Sequence, residues 1–296
     1  MTKHIVLLCA DVPKEASFIK KFTLAAQKRN LKMTHLDPQR MMMALDQQNK
    51  IKIYEESKEV EFSSDTFIFI KKAGHAHDFV AALYDYAKIK GIRYTDESRR
   101  YHRVNTKAHE MVILSQNGLS YPPTIVTTPS GFLSNKSIIS KLVTFPLVLK
   151  GSGNNGKGVW LVKDEKELEE KFSSAELLAN NFTGTVLLQE YVPNQFDIRI
   201  LVYKDQVLWA LKRAATDGFY NNRSRGGDVE QIAISDAEAQ VAIKAAKVME
   251  IDLAGVDLVR TTSGYYLWEV NKSAMTDQSM ELTGIDVPAL IIDSID

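Results

Sequence analysis

The stretch L-A-G-V-D-L-V-R-T-T-S-G-Y-Y-L-W-E-V-N, residues 253–271, decides how the rest of the chain is read. Two short apolar runs flank a Ser263-Gly264 turn, a pattern that predicts a β-hairpin. Side chains two apart on a strand share a face, so Glu269 and Asn271 point the same way. If the strands pair antiparallel about the turn, Asp257 on the first strand comes beside them. Two carboxylates and an amide oxygen then meet at the end of an apolar sheet. Hard oxygen donors of this kind suit Mg²⁺ or Mn²⁺ held together with substrate phosphates. The plain alternative is a hairpin carrying ordinary surface polar residues, and the hairpin alone does not choose between the two.

Composition narrows the field. The chain has 296 residues, room for two or three compact units. Hydrophobic residues at 45% and charged residues at 25% make an ordinary globular balance. The 37 basic and 37 acidic side chains cancel, so nothing favours a polyanion, and no nucleic-acid partner is expected. The one cysteine, Cys9, lies in the apolar run Ile5–Ala10 and reads as a buried structural thiol. An intrachain disulfide is excluded, and a reducing compartment fits. The opening M-T-K-H-I-V-L-L-C-A holds too short an apolar run for a signal peptide. No stretch reaches the roughly 20 apolar residues of a membrane span. A soluble, cytoplasmic protein without a membrane partner is expected.

Before the hairpin, strands alternate with helices. His4–Ala10 and Thr66–Ile70 read as buried strands, Lys32–Leu36 and Lys50–Tyr54 as further strands, and residues 14–29 and 79–90 as helices. This is the pattern of a small open α/β sheet ending near Thr95. Met41–Met43 reads as packing or a mobile turn. His75 and His77 follow a strand in a loop; without a further His or Cys nearby they read as loop residues, with a substrate contact the alternative. A second unit begins with a helical pattern over Ser98–Asn117 and runs through a strand to a short helix, Lys136–Leu142. The strand P-L-V-L-K then leads into G-S-G-N-N-G-K-G, residues 151–158, and a further strand. Gly151, Gly153, Gly156 and Gly158 between two strands make a hairpin flap, not the strand-to-helix loop of a Rossmann or Walker site. Glycines let backbone N–H groups approach phosphate oxygens, and Lys150 and Lys157 add positive charge. Residues 164–181 read as a charged helix and Thr185–Tyr191 as a strand. A long hairpin over 196–213 turns at Lys204–Gln206 and puts Asp197 and Arg199 on one face, with Lys212 opposite Leu211 and Arg213. An amphipathic helix over Asp236–Glu250, with Val241, Ala245 and Val248 inward, delivers the chain to residues 253–271. One helical segment, E-L-T-G-I-D-V-P-A-L-I-I, closes it.

The order of these pieces resembles the ATP-grasp superfamily and, within it, the RimK-like amino-acid (alpha-L-glutamate) ligases. The resemblance runs over residues 96–293 and is carried by V-L-K-G-S-G-N-N-G-K-G-V at 148–159, Q-E-Y-V at 189–192 and D-I-R-I-L-V at 197–202. N-N-R-S-R-G-G at 221–227, A-G-V-D-L at 254–258, E-V-N at 269–271 and T-G-I-D-V at 283–287 complete it. It implies an α/β (α+β) ATP-grasp fold. An N-terminal open α/β (pre-ATP-grasp) domain would span 1–95, a small central lid domain with the flap 96–186, and a C-terminal antiparallel-sheet domain with the metal and phosphate site 187–296. ATP and Mg²⁺ or Mn²⁺, as two ions, are the implied cofactors. Lys107 and Lys150 match the lysines that reach ATP phosphates, and Gly153, Gly156, Lys157 and Gly158 the loop that covers them. Gln189, Glu190, Tyr191 and Val192 match the adenine border, and Asp197 the ribose side. Arg199, Lys212, Arg213, Asn222 and Arg225 match the wall facing the triphosphate and acyl substrate, with Arg199, Arg213 and Arg225 in the catalytic role. Asp257, Glu269 and Asn271 match the metal ligands.

The implied reaction is ATP-dependent amide or peptide bond formation. A substrate carboxylate takes the γ-phosphoryl group, and an amine then displaces phosphate from the acyl phosphate. Small-molecule or peptide carboxylates and amines are the implied partners, and a homodimer or homotetramer the family-level expectation. Two departures bear on the acceptor. Lys272-Ser273-Ala274-Met275 stands where such ligases usually carry a small-residue and Pro-Gly turn, which leaves Lys272 and Ser273 as substrate contacts or a solvated face. Lys71 and Lys72 stand where an arginine is familiar. Two rival readings are an acyl-phosphate-forming enzyme with a thiol or hydroxyl acceptor, and a non-catalytic ATP-binding regulator or scaffold. Glu269→Gln and Asp257→Asn are both expected to abolish ADP formation with the fold intact.

Overall fold

The apolar run H-I-V-L-L-C folds as strand β1 (His4–Cys9), buried along its whole length. The structure, a computed structural model, describes residues 2–48, 50–100, 107–151, 158–174, 177, 184–214, 229–262, 264–272, 274 and 277–295. It divides into two compact units, one of Met1–Val104, Glu250–Ala254 and Lys272–Asp296, the other of Asn105–Met249 and Gly255–Asn271.

In the first unit, β1 is followed by α1 (Ala16–Lys28), β2 (Lys32–Leu36), β3 (Met41–Leu45), β4 (Ile51–Glu55), β5 (Lys58–Val60), β6 (Thr66–Lys72), α2 (His77–Ile89) and β7 (Arg93–Tyr94). The main sheet has the order β2-β1-β6-β7 and is parallel throughout. Strands covered on both faces need no polar alternation, which is why β1 and β6 read as continuous apolar runs. Phe18 and Phe22 of α1 stack on Phe69 of β6. Val80, Leu83 and Tyr84 of α2 join Val6, Leu8, Ile68 and Ile70 in a second buried layer. A separate antiparallel sheet, β3-β4-β5, lays Met41, Met43 and Ile51 on that layer. The Met41–Met43 run is therefore a strand; its alternate methionines pack while Met42 faces out.

The second unit contains two sheets. After α3 (Lys107–Gln116) come β8 (Thr124–Thr127), α4 (Pro129–Ser134), α5 (Lys136–Leu142), β9 (Leu147–Lys150), β10 (Val159–Val162), α6 (Glu165–Phe172) and β11 (Val186–Glu190). The first sheet has the order β10-β9-β11-β8, with antiparallel neighbours throughout, so β11 belongs with this sheet. Its inner face, Leu147, Leu149, Val162, Val186 and Leu188, packs on Phe132, Ile139, Leu168 and Phe172 of the helices. The expected strand–glycine loop–strand hairpin is present as the β9/β10 pair, closed at its base by the Gly151 N–H donating to the Gly158 carbonyl at 2.7 Å. Gly158 has φ +75°, a conformation that only glycine adopts without cost.

The second sheet is built from β12 (Phe196–Tyr203), β13 (Gln206–Ala214), β14 (Val229–Gln231), β15 (Leu253–Thr261) and β16 (Gly264–Asn271), in the order β14-β13-β12-β15-β16. Helix α7 (Asp236–Val248) packs on it through Ala242, Ala245 and Ala246. The buried stripe is thus turned from the expected one: Ala245 is inward, while Val241 and Val248 are only half-buried. The last stretch of the first unit holds α8 (Asp277–Thr283) and α9 (Val287–Asp293), two helices where one segment is expected. Gly284 at φ +71° separates them. Among the described residues no helix is long and apolar enough to cross a membrane.

Candidate active site

The pairing of β15 with β16 sets the site. Gly255 lies opposite Asn271 and Asp257 opposite Glu269, after which the register shifts and Leu258 faces Leu267. Directly opposed residues present side chains to one face, so Asp257 and Glu269 share it with Asn271. Asn271 donates from Nδ2 to Asp257 Oδ2 at 3.3 Å. The shift leaves Trp268 as an extra residue, a β-bulge.

The β12/β13 pair lines up beside it. Asp197 lies opposite Arg213 and Arg199 opposite Leu211, so these side chains share a face. Arg199 grips Asp257 through both nitrogen branches, with Nη2 2.7 Å from Oδ2. Arg213 reaches Asp257 at 3.1 Å and holds Asp197 at 2.6 and 2.7 Å. Burial pushes the Asp257 carboxyl up, but the Arg199 and Arg213 guanidinium groups outweigh it and hold it below the ordinary carboxylate range. At Asp197 burial wins over Arg213, and its carboxyl is pushed up to about 6. Two arginines therefore face two carboxylates, a polar network with its charges matched.

A second cluster comes from α3, β9 and β11. Lys150, at the end of β9, is buried and donates to Gln189 Oε1 at 2.6 Å, with its ammonium 5.0 Å from the Trp268 ring centroid. Burial pulls its ammonium down to about 8, against the pull of Glu269. Gln189 Nε2 in turn donates to Thr124 Oγ1 at 2.9 Å. Lys107 opens α3 and lies 3.7 Å from Glu269. The N–H groups of Glu190 and Tyr191 donate to the carbonyls of Pro123 and Pro146, and the Glu190 carboxylate accepts from the Thr144 N–H at 2.7 Å. Val192 follows at the end of this segment, half-buried.

The structure therefore brings together Lys107, Lys150, Gln189, Asp197, Arg199, Arg213, Asp257, Glu269 and Asn271. It does not bring Lys212 to this set. The alternation of β13 puts Lys212 on the other face, where it lies over the Phe196 ring and pairs with Glu230 at 2.7 Å. Gly153, Gly156, Lys157, Asn222, Arg225 and Ser273 lie outside the described residues. Lys272 belongs to the first unit, where its ammonium donates to the Ser98 carbonyl at 3.2 Å and its own carbonyl accepts from Arg99 at 3.0 Å. Lys71 is buried there, bonded to the Ala274 carbonyl, and Lys72 pairs with Glu15 at 3.3 Å. His77 opens α2, and its imidazole is held below its ordinary value by burial and then by the Arg99 and Lys272 charges. Glu110, Trp268 and Thr124 are absent from the sequence-based set. Glu110 was findable as the residue one helical turn after Lys107; Trp268 was not, because strict alternation points it away from Glu269.

Among the described residues no three His, Cys, Asp or Glu side chains cluster closely enough for a metal. The candidate donor set is instead two carboxylates and an amide oxygen on one strand pair. That chemistry fits a hard divalent cation.

Comparisons with known proteins give the family and the fold. The RimK-like ATP-grasp domain matches residues 104–295. A probable alpha-L-glutamate ligase of Methanococcoides burtonii is 31% identical over 284 residues, 92% of this chain and 89% of that protein. The ribosomal protein bS6–L-glutamate ligase of Shigella boydii is 34% identical over 67% of this chain and 65% of its own length. In fold, the macrocyclase MdnB of Microcystis aeruginosa superposes with a TM-score of 0.70 at 15% identity, covering 98% of each chain. The ATP-grasp ligase PsnB, solved with a precursor variant, Mg and ADP, gives 0.67 at 20% identity over 99% of this chain and 97% of its own. Family model, relatives and fold thus define a ligase of ATP-grasp architecture. The chain belongs to the RimK-like ATP-grasp family, ATP-dependent ligases that join a carboxylate to an amine.

Proposed function

We propose that this protein uses ATP to activate a substrate carboxylate as an acyl phosphate and joins it to the amine of an amino acid, with a peptide, an amino acid or a small metabolite as the other partner. The observation that carries the reading is the convergence on Glu269. Asp257 faces it across the strand pair, Asn271 lies two residues on, and Lys107 reaches its carboxylate. Glutamate is the first amine to test, because the relatives are named for it. The K-S-A-M run after E-V-N departs from the usual turn, so the acceptor is proposed as a class.

Each residue then has a task set by charge. Lys107 and Lys150 neutralise ATP phosphates, and the backbone of Glu190–Val192 borders the base. Asp257, Glu269 and Asn271 hold divalent cations, proposed as two. The cations, when bound, offset phosphate charge and orient the transferring group. Arg199 and Arg213 turn toward the acyl phosphate, which Arg225 also helps to hold, through charge-assisted bonds. Their present partners, Asp257 and Asp197, keep them ordered and in reach until substrate enters. The carboxylate oxygen attacks the γ-phosphorus and ADP leaves. The amine then attacks the acyl carbon, the tetrahedral intermediate expels phosphate, and the amide remains. The flap over residues 151–158 excludes water from the acyl phosphate. In this reading residues 96–186 act as the lid and supply Lys107 and Lys150, and 187–296 carry the metal donors with Arg199, Arg213 and Arg225.

The test is release of ADP and phosphate with Mg-ATP, using L-glutamate and the other amino acids as amines against free amino acids and peptides with acidic C-termini. Mass spectrometry of each hit should show a product one water lighter than the sum of its parts. ADP release that is independent of any amine, or a thioester or ester product, overturns the reading.

A further inference from the structure

Strand β16 is the edge of its sheet, so its outward backbone donors need partners from elsewhere. At Leu267 the partner is ordinary: the N–H donates to the Ser120 carbonyl at 2.8 Å. At Val270 it is not. That N–H donates to a carboxyl oxygen of Glu110 at 2.6 Å, and Glu110 is only 6% exposed. A backbone carbonyl or a hydroxyl satisfies one amide N–H at lower cost than a buried carboxyl group. Val270 lies between Glu269 and Asn271, so Glu110 bonds the Glu269–Val270 peptide group, within the segment that joins two candidate metal donors. Lys107, three residues earlier on α3 and on the same side of the helix, meets the Glu269 carboxylate at 3.7 Å. One helical turn thus holds β16 twice, by the side chain at Glu269 and by the backbone at Val270.

We infer that Glu110 is a positioning residue for the divalent-cation site: by accepting the Val270 N–H it fixes the backbone between Glu269 and Asn271, so that both side chains are presented together. The inference rests on the metal reading proposed above. It assigns Glu110 a hydrogen-bond acceptor's role, with no direct contact to the cation. Groups that orient metal-binding residues in this way commonly change metal affinity 10–100-fold when removed.

The experiment measures Mn²⁺ binding by electron paramagnetic resonance in the presence of a non-hydrolysable ATP analogue. It compares the parent protein, Glu110→Ala, Glu110→Gln and Glu269→Gln, each checked for folding by far-UV circular dichroism. Glu110→Ala should weaken Mn²⁺ binding about 10-fold or more, while Glu110→Gln, which keeps an acceptor at the same reach, should stay within about threefold of the parent. Analogue affinity without metal should be unchanged in both Glu110 variants. The Mg²⁺ concentration for half-maximal ADP release should shift in parallel with Mn²⁺ affinity. If Glu110→Ala does not fold, Glu110→Met keeps the volume without the acceptor and gives the same comparison. Parent-like Mn²⁺ binding in the variant that lacks the acceptor overturns the inference. So does an equal loss in Glu110→Gln, which makes the charge of the carboxyl group the feature in use. Parent-like Mn²⁺ binding in Glu269→Gln shows that the metal reading itself has failed, and this inference with it.

Discussion

Among the described residues of the site, Asp257 is the most heavily engaged side chain. Its side chain is 6% exposed, and it meets Arg199, Arg213 and Asn271. Neutralising it leaves two guanidinium groups short of a counter-charge in a buried place. Asp257→Asn is therefore expected to lose ADP release and also about 3 kcal/mol of stability, the scale of breaking a buried ion pair from one side. Urea unfolding measures the second effect. This revises the expectation, drawn from sequence alone, that both carboxylate substitutions leave the fold intact. Glu269 has a side chain 34% exposed and, among the described residues, one ion pair, with Lys107 at 3.7 Å. Glu269→Gln should accordingly keep the parent's urea midpoint while slowing ADP release at least about 100-fold, as removal of a preorganised charge-stabilising group does. Lys212 makes the contrasting case. Its partners lie on the opposite face of β13, so Lys212→Ala should change KM for ATP by no more than about twofold and stability by under about 1 kcal/mol. A tenfold rise in KM would put Lys212 back among the phosphate ligands.

At the scale of elements, α7 shows how local signals and packing combine. Ser235 caps it by accepting from the Glu238 N–H, and the Glu238 carboxylate accepts from the Ser235 N–H, a capping box. Arg260 of β15 closes on the same carboxylate at 2.6 and 3.0 Å, and these partners pull Glu238 down to about 2, with Arg260 the largest cause. A carboxyl group held below its ordinary value of about 4.5 contributes stability that is complete above that value and lost as pH falls toward about 2. Glu238→Gln should thus destabilise the protein at pH 7, and the deficit should shrink as the solution is taken from pH 4.5 toward pH 2. Denaturant midpoints for both proteins across that range provide the check. A deficit that grows on acidification contradicts the assignment. The bulge at Trp268 is another element-level effect. By breaking the alternation of β16 it leaves Trp268 beside Lys150, so the ammonium of a candidate phosphate-binding lysine lies against an aromatic ring.

For the whole molecule, the nucleotide reading predicts where ligand stabilises it. Mg-ATP at about 100 times its Kd should add about 2.7 kcal/mol to unfolding if it binds only the folded chain. Hydrogen exchange should slow in α3, at the end of β9, in β11 and along β16, and change little in β1 and β6. Protection confined to the parallel sheet of the first unit contradicts the placement of the nucleotide groups. Much of this was legible in the sequence. The apolar run of β1, the β9/β10 strand pair and the β15/β16 hairpin follow from periodicity and turn residues, which act between neighbours along the chain. Asp257, Glu269 and Asn271 met as expected, because the turn sets the register and the register sets the face. What only the tertiary structure decided depends on contacts between residues distant in sequence. Arg199 and Arg213 turn to Asp257 because β12 and β15, the first and fourth strands of the chain's last sheet, are neighbours in space. Glu110 reaches Val270 across 160 positions because an edge strand needs a partner that no local pattern announces. The inward stripe of α7 is set by the sheet beneath it, which selects small alanines over the bulkier valines next to them. Local chemistry along the chain was enough to determine most of the elements and to bring Asp257, Glu269 and Asn271 to one face; the charge partners of these residues were settled only when the sheets packed.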